Sequence, residues 1–274
     1  MNREPAFLKL LSSVNGICCV LFAARHLNNT LYVPAPAGWW YLCAAALGLV
    51  YAFDMFMDSR KLQQPADRFA AFMLASSALF CLWRALPYLE YAGVYSIMRM
   101  CLFPVLLTLL YLAGIVWKRW YWLNPIREVL AAAIFGTSLV YVQASHEPTA
   151  AAYALLFACS CLGNLLLGSW YDFEKDEQHG MAGLLHTTWF PARSADHMRS
   201  LYALLLLLPP ALMKGIPYLW PAMETPLNIP VSVFWIYVAQ IGGYWVMRET
   251  EGSFRRYSLF RFAADWCLLF WLLL

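Results

Sequence analysis

Residues 38–58 read Gly-Trp-Trp-Tyr-Leu-Cys-Ala-Ala-Ala-Leu-Gly-Leu-Val-Tyr-Ala-Phe-Asp-Met-Phe-Met-Asp, an apolar run that ends in the acidic pair Asp54 and Asp58. A run of roughly 20 apolar residues is long enough to cross the hydrocarbon of a bilayer as a helix. A second apolar run, 148–172, ends in the same way with Asp172-Phe-Glu-Lys-Asp176. Two carboxylates four residues apart share one face of a helix. A carboxylate at membrane depth is costly, so its first reading is functional. Asp54 is the sharper case, because Phe53, Met55 and Phe56 surround it.

The composition around these runs fixes the class. Of 274 residues, 62% are hydrophobic and 13% charged, with a mean hydropathy of +0.56. Soluble domains carry about 25% charged residues. Thirteen Trp and sixteen Tyr suit the aromatic belts at membrane interfaces. The chain is expected to be one polytopic domain, 1–274. Nine spans are read at about 7–25, 38–57, 69–89, 96–117, 127–144, 148–172, 197–220, 230–248 and 257–274. Pro209-Pro210 is expected to kink the seventh. The first run lacks a small-residue cleavage site and reads as a retained span.

Orientation follows from the basic residues. With the N-terminus inside, every Lys and Arg except Arg25, Arg84, Arg99 and Lys214 falls on the cytoplasmic side. That bias predicts N-inside and C-outside, which agrees with an odd number of spans. Both acidic pairs then face the cytoplasm. The net charge of +3 comes without a basic tail or patch, so nucleic acid is not an expected partner. The eight Cys form no Cys-x-x-Cys pair, which argues against a zinc site or a disulfide framework. A Ser-His-Asp arrangement, a phosphate-binding Walker loop and a dinucleotide fingerprint are all missing.

The acidic pairs suit Mg²⁺, which takes oxygen ligands and binds through one or two carboxylates plus substrate phosphates. Two or three such ions bridging a diphosphate would neutralise it as a leaving group. Arg68, Lys118, Arg119 and Arg127 are predicted on the same side and are candidates for the phosphates, against topology anchoring as their ordinary role. Arg127 stands near a helix start, where the dipole disfavours a cation. Its neighbour Glu128 is not expected to share its face. An aromatic-lined cavity would hold a prenyl tail and steady an allylic cation. Asn15 in the first span and Asn164, two turns before Asp172, are candidates for the same cavity. Asn15 is equally read as interhelical glue. Asp265 is read as a structural partner of Arg261, four residues earlier. His179 and His186 flank Gly180 but lack a third nitrogen ligand, so a His metal site is not expected.

In these features the chain resembles the UbiA-type intramembrane prenyltransferases. Their nine transmembrane helices carry one Asp-rich motif at the end of helix 2 and another at the end of helix 6. Asp54-x-x-x-Asp58 and Asp172-x-x-x-Asp176-x-x-x-Gly180 stand at those places here. Lys118-Arg119 looks like the basic motif before helix 5, and Ser13 and Asn15 are similar to polar residues of helix 1. The resemblance implies an all-α, nine-transmembrane-helix bundle in a bacterial cytoplasmic membrane, with the active site on the cytoplasmic side. It implies Mg²⁺-dependent transfer of a polyprenyl group from an isoprenyl diphosphate to a hydrophobic acceptor. Asp54, Asp58, Asp172 and Asp176 would hold the metal. Arg68, Lys118, Arg119, Arg127, Asn15 and Asn164 would hold substrate. No general base is identifiable. Alignment of the first motif with Asn-Asp-x-x-Asp-x-x-x-Asp puts Val50 and Tyr51 at two positions that are oxygen ligands in the family. That departure supports an alternative, a non-catalytic relative that binds a polyprenyl lipid or scaffolds a partner. A transporter is the third reading. The sequence selects neither acceptor, chain length nor oligomeric state.

Overall fold

The computed structural model describes residues 6–30, 35–62, 65–92, 105–113, 126–139, 148–171, 184, 235–236, 238–239, 242 and 259–273. Among these residues every regular element is a helix. They are α1 (Ala6–Thr30), α2 (Ala37–Leu62), α3 (Pro65–Ala92), α4 (Arg127–Leu139), α5 (Pro148–Tyr171) and α6 (Leu259–Trp266), which runs on into a 3₁₀ turn, Cys267–Leu273. Residues 105–113 are also helical. The expected spans 38–57, 69–89 and 148–172 match α2, α3 and α5, and α2 and α3 run a few residues longer at either end. The expected seventh span, 197–220, lies outside the described residues.

Local chemistry sets the helix starts. Pro65 opens α3, where its missing N–H is not needed, and the buried Asp67 sits in the first turn at the positive end of the dipole. Before α2, the Trp39 amide donates to the Pro36 carbonyl at 3.0 Å, and Trp40 Nε1 donates to the Ala35 carbonyl at 3.3 Å. The first bond satisfies an N–H that a helix start leaves open, and the second ties the Trp40 ring to the chain before the helix.

Among the described residues, three helices are long and apolar enough to cross a membrane, over Leu10–Asn29, Ala37–Met57 and Ala66–Tyr91. Their apolar character extends to the outer face. Phe69, Phe72, Phe80 and Trp83 of α3 are all exposed. A soluble helix would turn such a face inward; a helix in lipid need not. The chain is therefore a membrane protein. Ser76 and Ser77 also lie on exposed positions of α3, and each hydroxyl donates to the carbonyl four residues earlier, Phe72 at 2.9 Å and Met73 at 3.0 Å. Their polarity is thereby satisfied within the helix.

α2 and α3 form an antiparallel hairpin. A side chain at Gly48 would meet Ala78, and one at Gly38 would meet Tyr88, so the two sequences run in opposite directions past each other. Trp39 packs edge-on against Tyr88, with ring centroids 6.4 Å apart. Arg84 stacks over the Tyr41 ring at 5.7 Å, which gives that membrane-depth cation a partner. α4 and α5 also approach closely. A Cβ added to Gly136 would lie 2.6 Å from both the Ala154 carbonyl oxygen and the Ala158 methyl. Small residues let membrane helices touch backbone to backbone, where no hydrophobic effect drives them together. Around these contacts Leu27, Leu156, Phe157 and Leu166 are fully buried.

Gly136→Ala is accordingly expected to destabilise the protein by about 1–3 kcal/mol, as overpacking does. Gly168→Ala, where an added Cβ meets nothing within 4 Å, serves as the comparison. Thermal unfolding in detergent should show a lowered midpoint for the first and little change for the second.

Candidate functional site

α1 to α6 and the helical stretch 105–113 line an open cavity of about 1050 Å³. This is at the upper end of the usual size of ligand pockets, roughly 300–1,000 Å³. Its wall follows α2 from Trp39 to Phe56. At 1.5 Å per residue that stretch is about 25 Å long, close to the thickness of the hydrocarbon layer.

The wall changes character along this length. Trp39, Leu42, Cys43 and Leu47, near the start of α2, make one end apolar. Asp54 near the end of α2, Arg68 in the first turn of α3, and Arg127 and Glu128 at the start of α4 make the other end charged. The α2–α3 hairpin brings Asp54 and Arg68 to the same end of the cavity. The Tyr111 hydroxyl lies within electrostatic reach of Asp54, Tyr51, Arg127 and Glu128, so these groups converge on one region.

Glu128 is the best anchored of them. It is 4% exposed, and its carboxylate accepts the Ser169 hydroxyl at 2.9 Å and the Leu184 amide at 3.2 Å. Arg127 Nη2 comes within 3.9 Å of the same carboxylate. The expectation that these neighbours face apart is thus corrected. Successive helix positions point about 100° apart, but a long Arg side chain in the first turn can fold back across the helix end. Ser169 closes α5 and Leu184 lies beyond it, so Glu128 binds the chain on both sides of the segment 172–183.

A second polar group stands deeper in the wall. Asp265 of α6 accepts Asn15 Nδ2 of α1 on Oδ2 at 3.3 Å and Asn164 Nδ2 of α5 on Oδ1 at 3.1 Å. Asn15 Oδ1 in turn accepts Trp266 Nε1 at 2.9 Å. Two asparagines from other helices thus hold Asp265. The side chain of Arg261, its expected partner, lies outside the described residues.

Of the candidate residues, Asp54, Arg68, Arg127 and Asn164 meet on the cavity wall. Asn15 stands behind Asp265 and supports it. Val50 and Tyr51 also line the cavity, so the two positions that lack an oxygen ligand by resemblance do face the site. Lys118, Arg119, Asp172 and Asp176 lie outside the described residues, as does the side chain of Asp58 in the last turn of α2. Among the described residues, no three His, Cys, Asp or Glu side chains gather into a metal-binding group. Asp54 still meets the minimum for Mg²⁺, one carboxylate on an open cavity beside space for phosphate oxygens. Sequence reasoning did not single out Tyr111 or assign Glu128 to the site, and it read Asp265 as structural only. A carboxylate inside an apolar run was the signal available for Asp265. No protein family, curated protein or solved structure matches the chain.

Glu128→Ala should strand the Ser169 hydroxyl and the Leu184 amide in an apolar setting. The expected loss is about 1–3 kcal/mol of stability, with Ser169→Ala losing less. Comparing unfolding midpoints of the two variants in detergent checks the order.

Proposed function

We propose that this chain is a nine-helix membrane prenyltransferase of the UbiA type. On this reading it moves a polyprenyl group from an isoprenyl diphosphate to a hydrophobic acceptor, with its N-terminus and charged cavity end on the cytoplasmic side of a bacterial inner membrane. The observation that carries the reading is the graded cavity. An anionic head belongs beside Arg68 and Arg127, and a long apolar tail belongs along α2 toward Trp39.

The chemistry follows from charge. Breaking the carbon–oxygen bond leaves the electron pair on the diphosphate and positive charge on the allylic carbon. The Arg68 and Arg127 guanidinium groups would stabilise the departing anion, with Lys118 and Arg119 as further candidates. Bound Mg²⁺ would supply additional positive charge to the same oxygens, held by Asp54 together with Asp58, Asp172 and Asp176. Phe53 and Phe135 on the wall offer aromatic faces to the carbon cation, and the apolar surroundings keep water from capturing it.

Val50 and Tyr51 on the cavity wall favour a second reading, a relative that binds the prenyl diphosphate and does not turn it over. Both readings predict binding, and turnover with an acceptor separates them.

Titration of the purified protein with farnesyl and longer prenyl thiodiphosphates, with and without Mg²⁺, tests the site. Binding should require Mg²⁺. It should weaken about tenfold or more in Arg127→Ala and in Asp54→Asn, a change of ~1.4 kcal/mol or more. Asp172→Asn/Asp176→Asn should abolish it. Absence of binding at every chain length would refute the proposal.

A further inference from the structure

Arg84 is an exposed cation on a face of α3 that is otherwise apolar. Phe80, one turn earlier on the same face, and Trp83 are both exposed, with ring centroids 5.7 Å apart. The guanidinium carbon lies 5.7 Å from the centre of the Tyr41 ring on α2.

The depth of this pair follows from the hairpin. Gly38 lies against Tyr88 and Gly48 against Ala78, which sets Tyr41 and Arg84 side by side near the start of α2. At 1.5 Å per residue, Tyr41 is about 6 Å inside the start of the apolar span Ala37–Met57. Trp40 and Trp83 are neighbours of the pair in sequence, and aromatic residues of this kind mark where hydrocarbon meets headgroups. This end of the bundle is the one away from Asp54 and the charged end of the cavity. None of Arg84, Tyr41, Phe80 and Met73 lines that cavity.

Stacking on Tyr41 does not give the cation a counter-charge. A ring takes the flat face of a guanidinium, whereas its five N–H donors lie in the plane and point outward. Among the described residues, the Arg84 side chain forms no ion pair or hydrogen bond, and Glu90, the nearest acid along α3, does not pair with it. Its surroundings select the anion. On a lipid-facing helix, at the level of the headgroups, the anion at hand is a lipid phosphate. The planar fork of Arg matches two phosphate oxygens. Phe80, one turn toward the start of α3, and Met73, three turns toward it, are exposed on the same face and give acyl chains an apolar track.

We propose that Arg84, stacked on Tyr41, binds an anionic phospholipid in the leaflet at the α2-start end of the bundle. The phosphate takes the guanidinium fork, and the chains descend over Phe80 toward Met73. Net charge selects the lipid. Phosphatidylglycerol presents a bare phosphate, whereas phosphatidylcholine carries a quaternary ammonium that already neutralises its own. The site is separate from the cavity and does not depend on prenyl transfer.

Native mass spectrometry tests it. The full-length protein in detergent is equilibrated with equal amounts of phosphatidylglycerol and phosphatidylcholine of identical acyl chains, and the retained lipids are counted. The wild type should retain phosphatidylglycerol about fivefold or more over phosphatidylcholine. Arg84→Gln should remove most of that excess. Tyr41→Leu keeps the charge but releases the guanidinium, and should reduce the excess about twofold or more; it carries the test if Arg84→Gln does not fold. Arg25→Gln removes another exposed cation, near the end of α1, and should leave the excess intact. Farnesyl thiodiphosphate in excess should not displace the lipid. Equal retention of the two lipids, or an excess unchanged in either folded variant of the pair, overturns the proposal. So does an excess lost equally in Arg25→Gln, which would mean diffuse surface charge, or a lipid displaced by the thiodiphosphate, which would place it in the cavity.

Discussion

Carboxylates inside this bundle must find partners on other helices, because neither lipid nor apolar side chains can serve. Asp265 shows what that constraint produces. Its two oxygens draw in Asn15 from the first helix and Asn164 from the fifth, so α6 is tied to helices far away in sequence. Glu128 does the same at the charged end, joining the start of α4 to the end of α5 and to Leu184. Breaking such a contact leaves a charge in a poorly screening interior, which is why the helices return to one arrangement.

Packing supplies the remainder. The helix pairs α2–α3 and α4–α5 meet at Gly48 and Gly136, where the backbones touch. Close contact at those glycines contrasts with the open space lined by α2, α3, α4 and α5. The cavity persists because large side chains such as Trp39 and Phe135 line it from helices that other contacts already hold in place. Its grading arises from where each helix ends. Asp54, Arg68, Arg127 and Glu128, near the end of α2 and the starts of α3 and α4, gather at one end of it.

Much of this was legible in the sequence. The apolar runs ending in Asp54 and Asp172 marked α2 and α5 closely, since length and composition alone decide whether a helix can span. Asp54, Arg68 and Arg127 were read as candidates from their places near the ends of spans, and Asn164 from lying two turns before Asp172; all four line the cavity. The misses have a common physical cause. Asp265 accepts from Asn15 across 250 positions, a contact that no local spacing announces. Glu128 was set aside by helical spacing, which ignores how far a flexible Arg side chain can reach. Tyr111 carries no pattern at all, because a Tyr within an apolar span looks the same whether it faces lipid or a cavity. The last span was expected as one helix, yet Cys267–Leu273 winds as 3₁₀, a choice that apolar composition does not encode.

The central claim is that an anion-headed amphiphile lies along α2 with its tail toward Trp39. Photo-crosslinking with a prenyl diphosphate that carries a benzophenone at the tail end, followed by peptide mass spectrometry, tests it most directly. The account predicts labelling of α2 between Trp39 and Leu47, suppressed by excess unlabelled prenyl diphosphate. Labelling confined to the outward-facing Phe80 and Trp83 of α3, and unaffected by competitor, would contradict it.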